Sequence, residues 1–152
     1  MLGLGYRVQL SAVVVLAAAL AAHALPVADP TVEEMKARVS ETSVGGRPHL
    51  CVQIAERQLA EADKLYTAAD VEQAQTKLTD VVAYSELARD YSIQSHKYQK
   101  QTEIAVRVMT RKLTEVMHAL AHDDQAPVQA AITRLQRVRD DLLAAMFKKG
   151  AK

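Results

Sequence analysis

The segment from Val71 to Ala121 constrains the fold most, because its 51 residues include neither glycine nor proline. Both residues interrupt helices, so their absence favours a helix throughout. Positions at spacings of three and four along the segment share one helical face, and they are apolar at both ends and small or polar in the middle. This seam comprises Val71, Ala74, Leu78, Val81, Ser85, Ala88, Ser92, Ser95, Gln99, Thr102, Val106, Met109, Leu113, Val116 and Leu120. The spacing predicts one continuous helix over about 70–121, roughly 75 Å long at 1.5 Å per residue.

The middle of the seam permits a second interpretation. The stretch from Ser92 to His96 contains few strong helix formers, and serine competes with the helix backbone for hydrogen bonds. A break near 92–96 would produce a compact four-helix bundle instead of a long helix. Both architectures are all-α, which agrees with the scarcity of glycine, proline and aromatic residues.

The first 24 residues have the character of an export signal rather than of a folded domain. Arg7 supplies a positive charge, the run from Leu10 to Ala22 is apolar, and Ala22-His23-Ala24 fits the pattern that signal peptidases cleave. Because the signal is short and rich in alanine, we expect a bacterial protein that is periplasmic or secreted. The alternative is an uncleaved anchor from Val8 to Leu25, the one membrane attachment that the sequence indicates.

Residues 25–30 follow as a short linker with two prolines, and residues 31–149 are expected to form a single helical domain. Thr31 and Glu34 have the spacing of a capping box, in which each side chain hydrogen-bonds the backbone N–H of the other residue. This pattern predicts a first helix over about 31–42.

Two further helices are expected over about 48–67 and 126–148. Each is joined to the long helix by a short connection, and short connections make neighbouring helices antiparallel. We therefore expect an antiparallel helix folded back on each half of the long helix. Neither partner is long enough to reach residues 90–98, which leaves an uncovered interval in the middle.

The turn that precedes the long helix has a recognisable pattern, Leu65-Tyr66-Thr67-Ala68-Ala69-Asp70, with Ala74 and Leu78 after it. It resembles the helix turn of tetratricopeptide repeats, which implies a helical hairpin at this place. The resemblance covers one hairpin, since no second copy follows at a period of roughly 34 residues. Ala69 stands where the repeat usually has glycine.

The uncovered interval carries the predicted partner-binding surface. Three tyrosines recur at a spacing of seven in this interval and just before it, and small seam residues would permit the close approach of another helix. The predicted surface comprises Tyr84, Ser85, Ala88, Tyr91, Ser92, Ser95, His96 and Tyr98. We expect it to bind a protein partner or a second copy in a homodimer. Alternatively, the tyrosines shield the backbone where the seam is polar.

Four basic residues, Lys97, Lys100, Arg107 and Arg111, would share one stripe of the long helix. They predict contact with an anionic envelope polymer or a lipid head group. The other interpretation is that they pair with the acidic residues between Glu56 and Asp90, within the chain or across a dimer. Without the first 24 residues, basic and acidic residues are equal in number, so no net charge favours nucleic acid as a partner.

His118 and His122 are four residues apart, the spacing of two metal ligands on a helix, and Asp123 or Asp124 could add an oxygen. They are weak candidates, because the glutamate of the helical zinc-protease motif is missing. Cys51 is the single cysteine and lies among apolar residues, which indicates a buried thiol, although an intermolecular disulfide is the alternative.

The sequence contains no glycine-rich phosphate loop and no nucleophile motif, so we expect neither catalysis nor a cofactor. Together these features predict an exported, non-catalytic helical protein that acts as a structural or protein-interaction module in the bacterial cell envelope. The alternatives are a periplasmic metal-cation binding protein and a binder of anionic envelope polymers.

Overall fold

A computed structural model describes residues 28–148 and confirms the all-α prediction. Within that range the elements are α1 (Val32–Arg38), α2 (Arg47–Thr67), α3 (Val71–Ser95), α4 (Gln99–Ala119), a 3₁₀ turn (His122–Asp124) and α5 (Gln125–Lys148). The predicted signal peptide over 1–24, residues 25–27 of the linker and residue 149 of the predicted domain lie outside the described residues. No helix between residues 28 and 148 combines the length and the apolarity that crossing a membrane requires.

The prediction of one continuous helix over 70–121 is wrong, and the four-helix alternative describes the fold. The helix ends at Ser95, and a new one begins at Gln99. His96 and Tyr98 adopt left-handed backbone with φ of 58° and 61°, which reverses the chain within three residues. Ser95 contributes to the break: its hydroxyl donates to the Tyr91 carbonyl and accepts from the Lys97 N–H, which lies beyond the end of α3.

Each half of the predicted helix therefore belongs to a separate antiparallel hairpin, α2 with α3 and α4 with α5. The two hairpins pack side by side so that α3 lies beside α5 and α2 lies beside α4. Ion pairs between α3 and α5 show the relative direction of these two helices. Arg134 pairs with Glu86, and Asp141 pairs with Arg89, so sequence numbers rise together and the two helices are parallel.

The seam residues of α3 and α4 remain at the core in spite of the reversal. Ala74, Val81, Val106 and Leu113 are all completely buried, and they join α2 and α5 residues in one apolar cluster. The spacing stays in phase across the reversal because α3 and α4 both face the same core. An uninterrupted phase is thus compatible with a reversal, which is why it did not distinguish the two architectures.

The first helix is shorter than predicted, ending at Arg38, but its predicted capping box between Thr31 and Glu34 is present. It is held on the bundle by a polar contact. Lys36 Nζ and Gln58 Nε2 both donate to Asp80 Oδ2, at 2.7 and 2.6 Å.

The turn between α2 and α3 ends α2 with a Schellman motif, a paired hydrogen-bond pattern at a helix C-terminus. The Asp70 N–H donates to the Leu65 carbonyl at 2.9 Å, and the Ala69 N–H donates to the Tyr66 carbonyl at 3.0 Å. Ala69 has φ of 60°, the left-handed conformation that this motif requires and that glycine adopts without strain.

Replacing Ala69 with glycine should therefore stabilise the fold by about 1 kcal/mol, because the Cβ no longer disfavours left-handed backbone. Urea unfolding followed by circular dichroism would measure the difference. Ala68→Gly is the matched control: Ala68 has φ of −81°, so glycine there should only lower stability. Equal destabilisation by both substitutions would contradict the proposed strain at Ala69.

Candidate functional site

An open groove of about 360 Å³ lies between the parallel helices α2 and α4. It is lined by Glu56, Leu59, Ala60, Asp63, Lys64, Val108, Met109 and Lys112. Leu59 and Met109 are buried core residues that form its apolar floor. The groove exists where the two hairpins meet, since α2 and α4 are not neighbours in the chain and no turn ties them together.

Apolar side chains project from α4 beside this groove. Val108 is 52 % exposed and Ile104 is 39 % exposed, although both are β-branched residues typical of cores. They are four residues apart, so they share one outward face of α4, away from the buried Val106 and Leu113. Tyr98, at the start of α4, is 42 % exposed and stacks on His49 of α2 with ring centroids 5.8 Å apart.

Charged groups border the groove. Lys112 Nζ of α4 contacts Asp63 Oδ2 of α2 at 3.0 Å and bridges the two walls. This hydrogen bond is the main reason that the pKa of Lys112 lies above its usual value. On the α2 wall, partial burial raises the pKa of Glu56, and the nearby His49 opposes that shift. The groove thus has an apolar floor, a projecting valine and a charged border. Grooves that bind an amphipathic helix share these features.

Sequence reasoning missed this groove because it depends on a non-local pairing of α2 with α4. One signal was present: Ile104 lies between basic residues and outside the seam, so it had no place in the predicted core. Together with Val108, four residues on, Ile104 forms an exposed apolar pair on the charged face of α4.

The predicted uncovered interval does not exist, which corrects the predicted partner-binding surface. Ser85, Ala88 and Ser92 are completely buried by helices of the same chain. The Ser92 hydroxyl lies 2.9 Å from the Thr102 hydroxyl, so the small seam residues bring α3 and α4 together rather than admit a partner.

The remaining residues of that surface lie at different places. Tyr84, Tyr91 and Ser95 are half-buried. Lys36 Nζ lies 5.8 Å from the centroid of the Tyr84 ring, and Arg47 Cζ lies 5.1 Å from the centroid of the Tyr91 ring. These cation–π contacts hold α1 and the start of α2 against α3. His96 and Tyr98 are exposed in the turn between α3 and α4.

His96 also lines a second cavity at that end of the bundle, of about 730 Å³. Arg89 lies in its wall and is engaged by two carboxylates, Asp90 at 2.8 Å and Asp141 at 3.0 Å. The two carboxylates neutralise the charge of Arg89, which leaves this wall of the cavity less suited to an anionic ligand.

The predicted anion-binding stripe is divided by the chain reversal. Lys100, Arg107 and Arg111 share the exposed face of α4, but Lys97 lies in the turn. The aliphatic stem of Lys97 packs on Gly45, where an added methyl group would lie 2.9 Å from Lys97 Cδ. Three of the four predicted residues thus remain together, and anion binding by them stays a prediction.

The two histidines proposed as weak metal ligands are not on one helix, because α4 ends at Ala119. His118 and His122 are both exposed on either side of that end. Between residues 28 and 148, no three His, Cys, Asp or Glu side chains converge in a geometry that could hold a metal ion. The described residues therefore place no third His, Cys, Asp or Glu ligand beside His118 and His122.

Cys51 is fully buried between α1, α2 and α3, beside Met35, Val39 and Ala88. Burial raises the pKa of its thiol to about 11, although Arg47 lowers it. An intermolecular disulfide requires an accessible sulfur, so the folded chain is not arranged to form one through Cys51.

We expect thiol reagents to modify Cys51 in the native protein at least about a hundredfold more slowly than in denaturant at pH 8, since the raised pKa suppresses the thiolate. Modification should accelerate as pH rises towards 11, the folded-state pKa. Met35→Ala, which loosens α1 over the thiol, should accelerate it at constant pH. Equal rates in native and denatured protein would contradict this burial.

The chain was compared with family models, curated proteins and solved structures, and none of these comparisons produced a match.

Proposed function

We propose that this chain is an exported, non-catalytic interaction module that receives an amphipathic helix of a protein partner in the α2–α4 groove. The exposure of Val108 beside an apolar floor is the observation that carries the proposal. Export is supported by the signal-like character of the first 24 residues.

The chemistry of the groove specifies the kind of helix that fits. Two parallel helices form a trough, and a third helix can lie in it with apolar side chains three and four residues apart directed at the floor. Covering the exposed parts of Val108 and Ile104 would contribute on the order of 1–2 kcal/mol. The border carries both signs of charge, on Glu56 and Lys64 of α2, so the partner helix should carry both signs beside its apolar stripe.

A photo-crosslinking amino acid at position 108 tests the proposal in intact cells. We expect adducts at 108 whose crosslinked peptide, identified by mass spectrometry, has an amphipathic helical pattern. Ala60→Arg should abolish these adducts, because Ala60 faces the same groove and arginine would fill it.

The matched control places the same crosslinker at Gln136, an exposed position on α5 outside the groove. Adducts of equal yield at 108 and 136, or no adduct at 108, would show that the groove does not receive a helix.

A further inference from the structure

We infer that the occupant of the α2–α4 groove is a second copy of this chain, related by a two-fold axis parallel to the helices. This inference rests on the proposed function and names its partner. It follows from the heights of side chains along α2 and α4, from the shapes that those side chains present and from their charges.

Two contacts show which residues of α2 and α4 lie at the same height, measured along the helix axes. His49 stacks on Tyr98 near one end, and Asp63 pairs with Lys112 towards the other. In both pairs the partners are 49 positions apart in the sequence. Sequence numbers rise together, so α2 and α4 are parallel and in a constant register over this length.

A two-fold rotation about an axis along the groove places α2 of one copy over α4 of the other. The rotation does not change the position of any atom along the axis. Each α4 side chain therefore meets the α2 side chains of the other copy that lie at the same position along the axis. By the register above, Val108 is level with Leu59 and Ala60. The projecting valine of one copy thus meets the small exposed alanine of the other, and this contact occurs twice.

The charges follow the same symmetry. On α2, Glu56 and Lys64 are eight residues apart, and on α4, Arg107 and Glu115 are also eight residues apart with the signs exchanged. All four are exposed. Each α4 residue is displaced by two positions, about 3 Å, from the level of its α2 counterpart. Glu56 would face the partner's Arg107, and Lys64 would face the partner's Glu115, each pair occurring twice.

Existing contacts do not prevent these pairs. Arg107 lies 3.7 Å from Glu103 and Lys64 lies 2.7 Å from Glu61, each a neighbour on the same helix. The Lys64–Glu61 pair is exposed and exchanges easily, and the buried Glu103 keeps Arg139 of α5 as its partner at 2.8 Å when Arg107 turns away. The perpendicular two-fold axis would instead place α2 on α2 and α4 on α4, where Val108 no longer meets Ala60. The parallel axis is therefore the arrangement that shape and charge favour together.

Light scattering on the purified protein, expressed from the full sequence, tests the inference. The wild type should have the mass of a dimer, and Val108→Arg should weaken dimerisation at least about tenfold by burying a charge against apolar groups. Phe147→Arg is the matched control, because Phe147 is an exposed apolar residue of α5 outside the groove. It should leave the dimer intact. Circular dichroism establishes that each variant is folded.

A charge exchange tests the geometry. Glu56→Arg and Arg107→Glu should each weaken the dimer, and the double variant should recover most of the wild-type affinity. A wild type that is monomeric at high micromolar concentration, a dimer indifferent to Val108→Arg, or a double variant no stronger than the single ones would overturn the inference. A monomer whose position 108 still crosslinks to another protein's helix would leave the proposed function standing.

Discussion

The reversal of the chain over His96, Lys97 and Tyr98 determines how the two hairpins of the bundle pack against each other. Two of these three residues have left-handed backbone, which costs about 1–2 kcal/mol per non-glycine residue. The strain is offset by burial of apolar side chains from both helices that the turn joins. Near the turn, the hydroxyls of Ser92 and Thr102 satisfy each other in the core, so neither polar group is buried without a partner.

Once the chain reverses there, the parallel pairing of α2 with α4 follows. When two successive antiparallel hairpins close into a four-helix bundle with α3 beside α5, α2 comes beside α4, and no connecting turn restrains that second pair. The Asp63–Lys112 bridge and the His49–Tyr98 stack are the polar and aromatic contacts that hold it. The same geometry leaves Val108 exposed on the outer wall of α4. An accessible helix pair is thus a consequence of how the bundle closes.

Local chemistry was sufficient to predict much of this fold. The Thr31–Glu34 capping box and the bounds of α2 and α5, to within one residue, follow from caps and periodicity. The buried seam was also predictable, because side-chain period reports which face is apolar. The reversal was not predictable, since a seam of constant phase is expected both for one long helix and for two helices joined by a tight turn. Left-handed backbone at a histidine and a tyrosine has no signature comparable to glycine.

The groove was less predictable than the fold for a related reason. Its walls come from α2 and α4, whose proximity depends on the whole closed bundle rather than on any local pattern. The predicted surface instead drew on Ser85, Ala88 and Ser92, small residues that a sequence cannot assign to an internal or an external helix contact. They serve the internal one, since all three are completely buried.

The distance between the far ends of α3 and α4 tests the reversal most directly. Spin labels at the exposed positions Gln73 and His118, in a chain whose Cys51 is replaced by alanine, can be measured by double electron–electron resonance. The hairpin predicts about 30 Å or less, because packed helices lie roughly 10 Å from their neighbours. A separation near 70 Å, the length of one uninterrupted helix at about 1.5 Å per residue, would contradict the reversal and remove the α2–α4 groove.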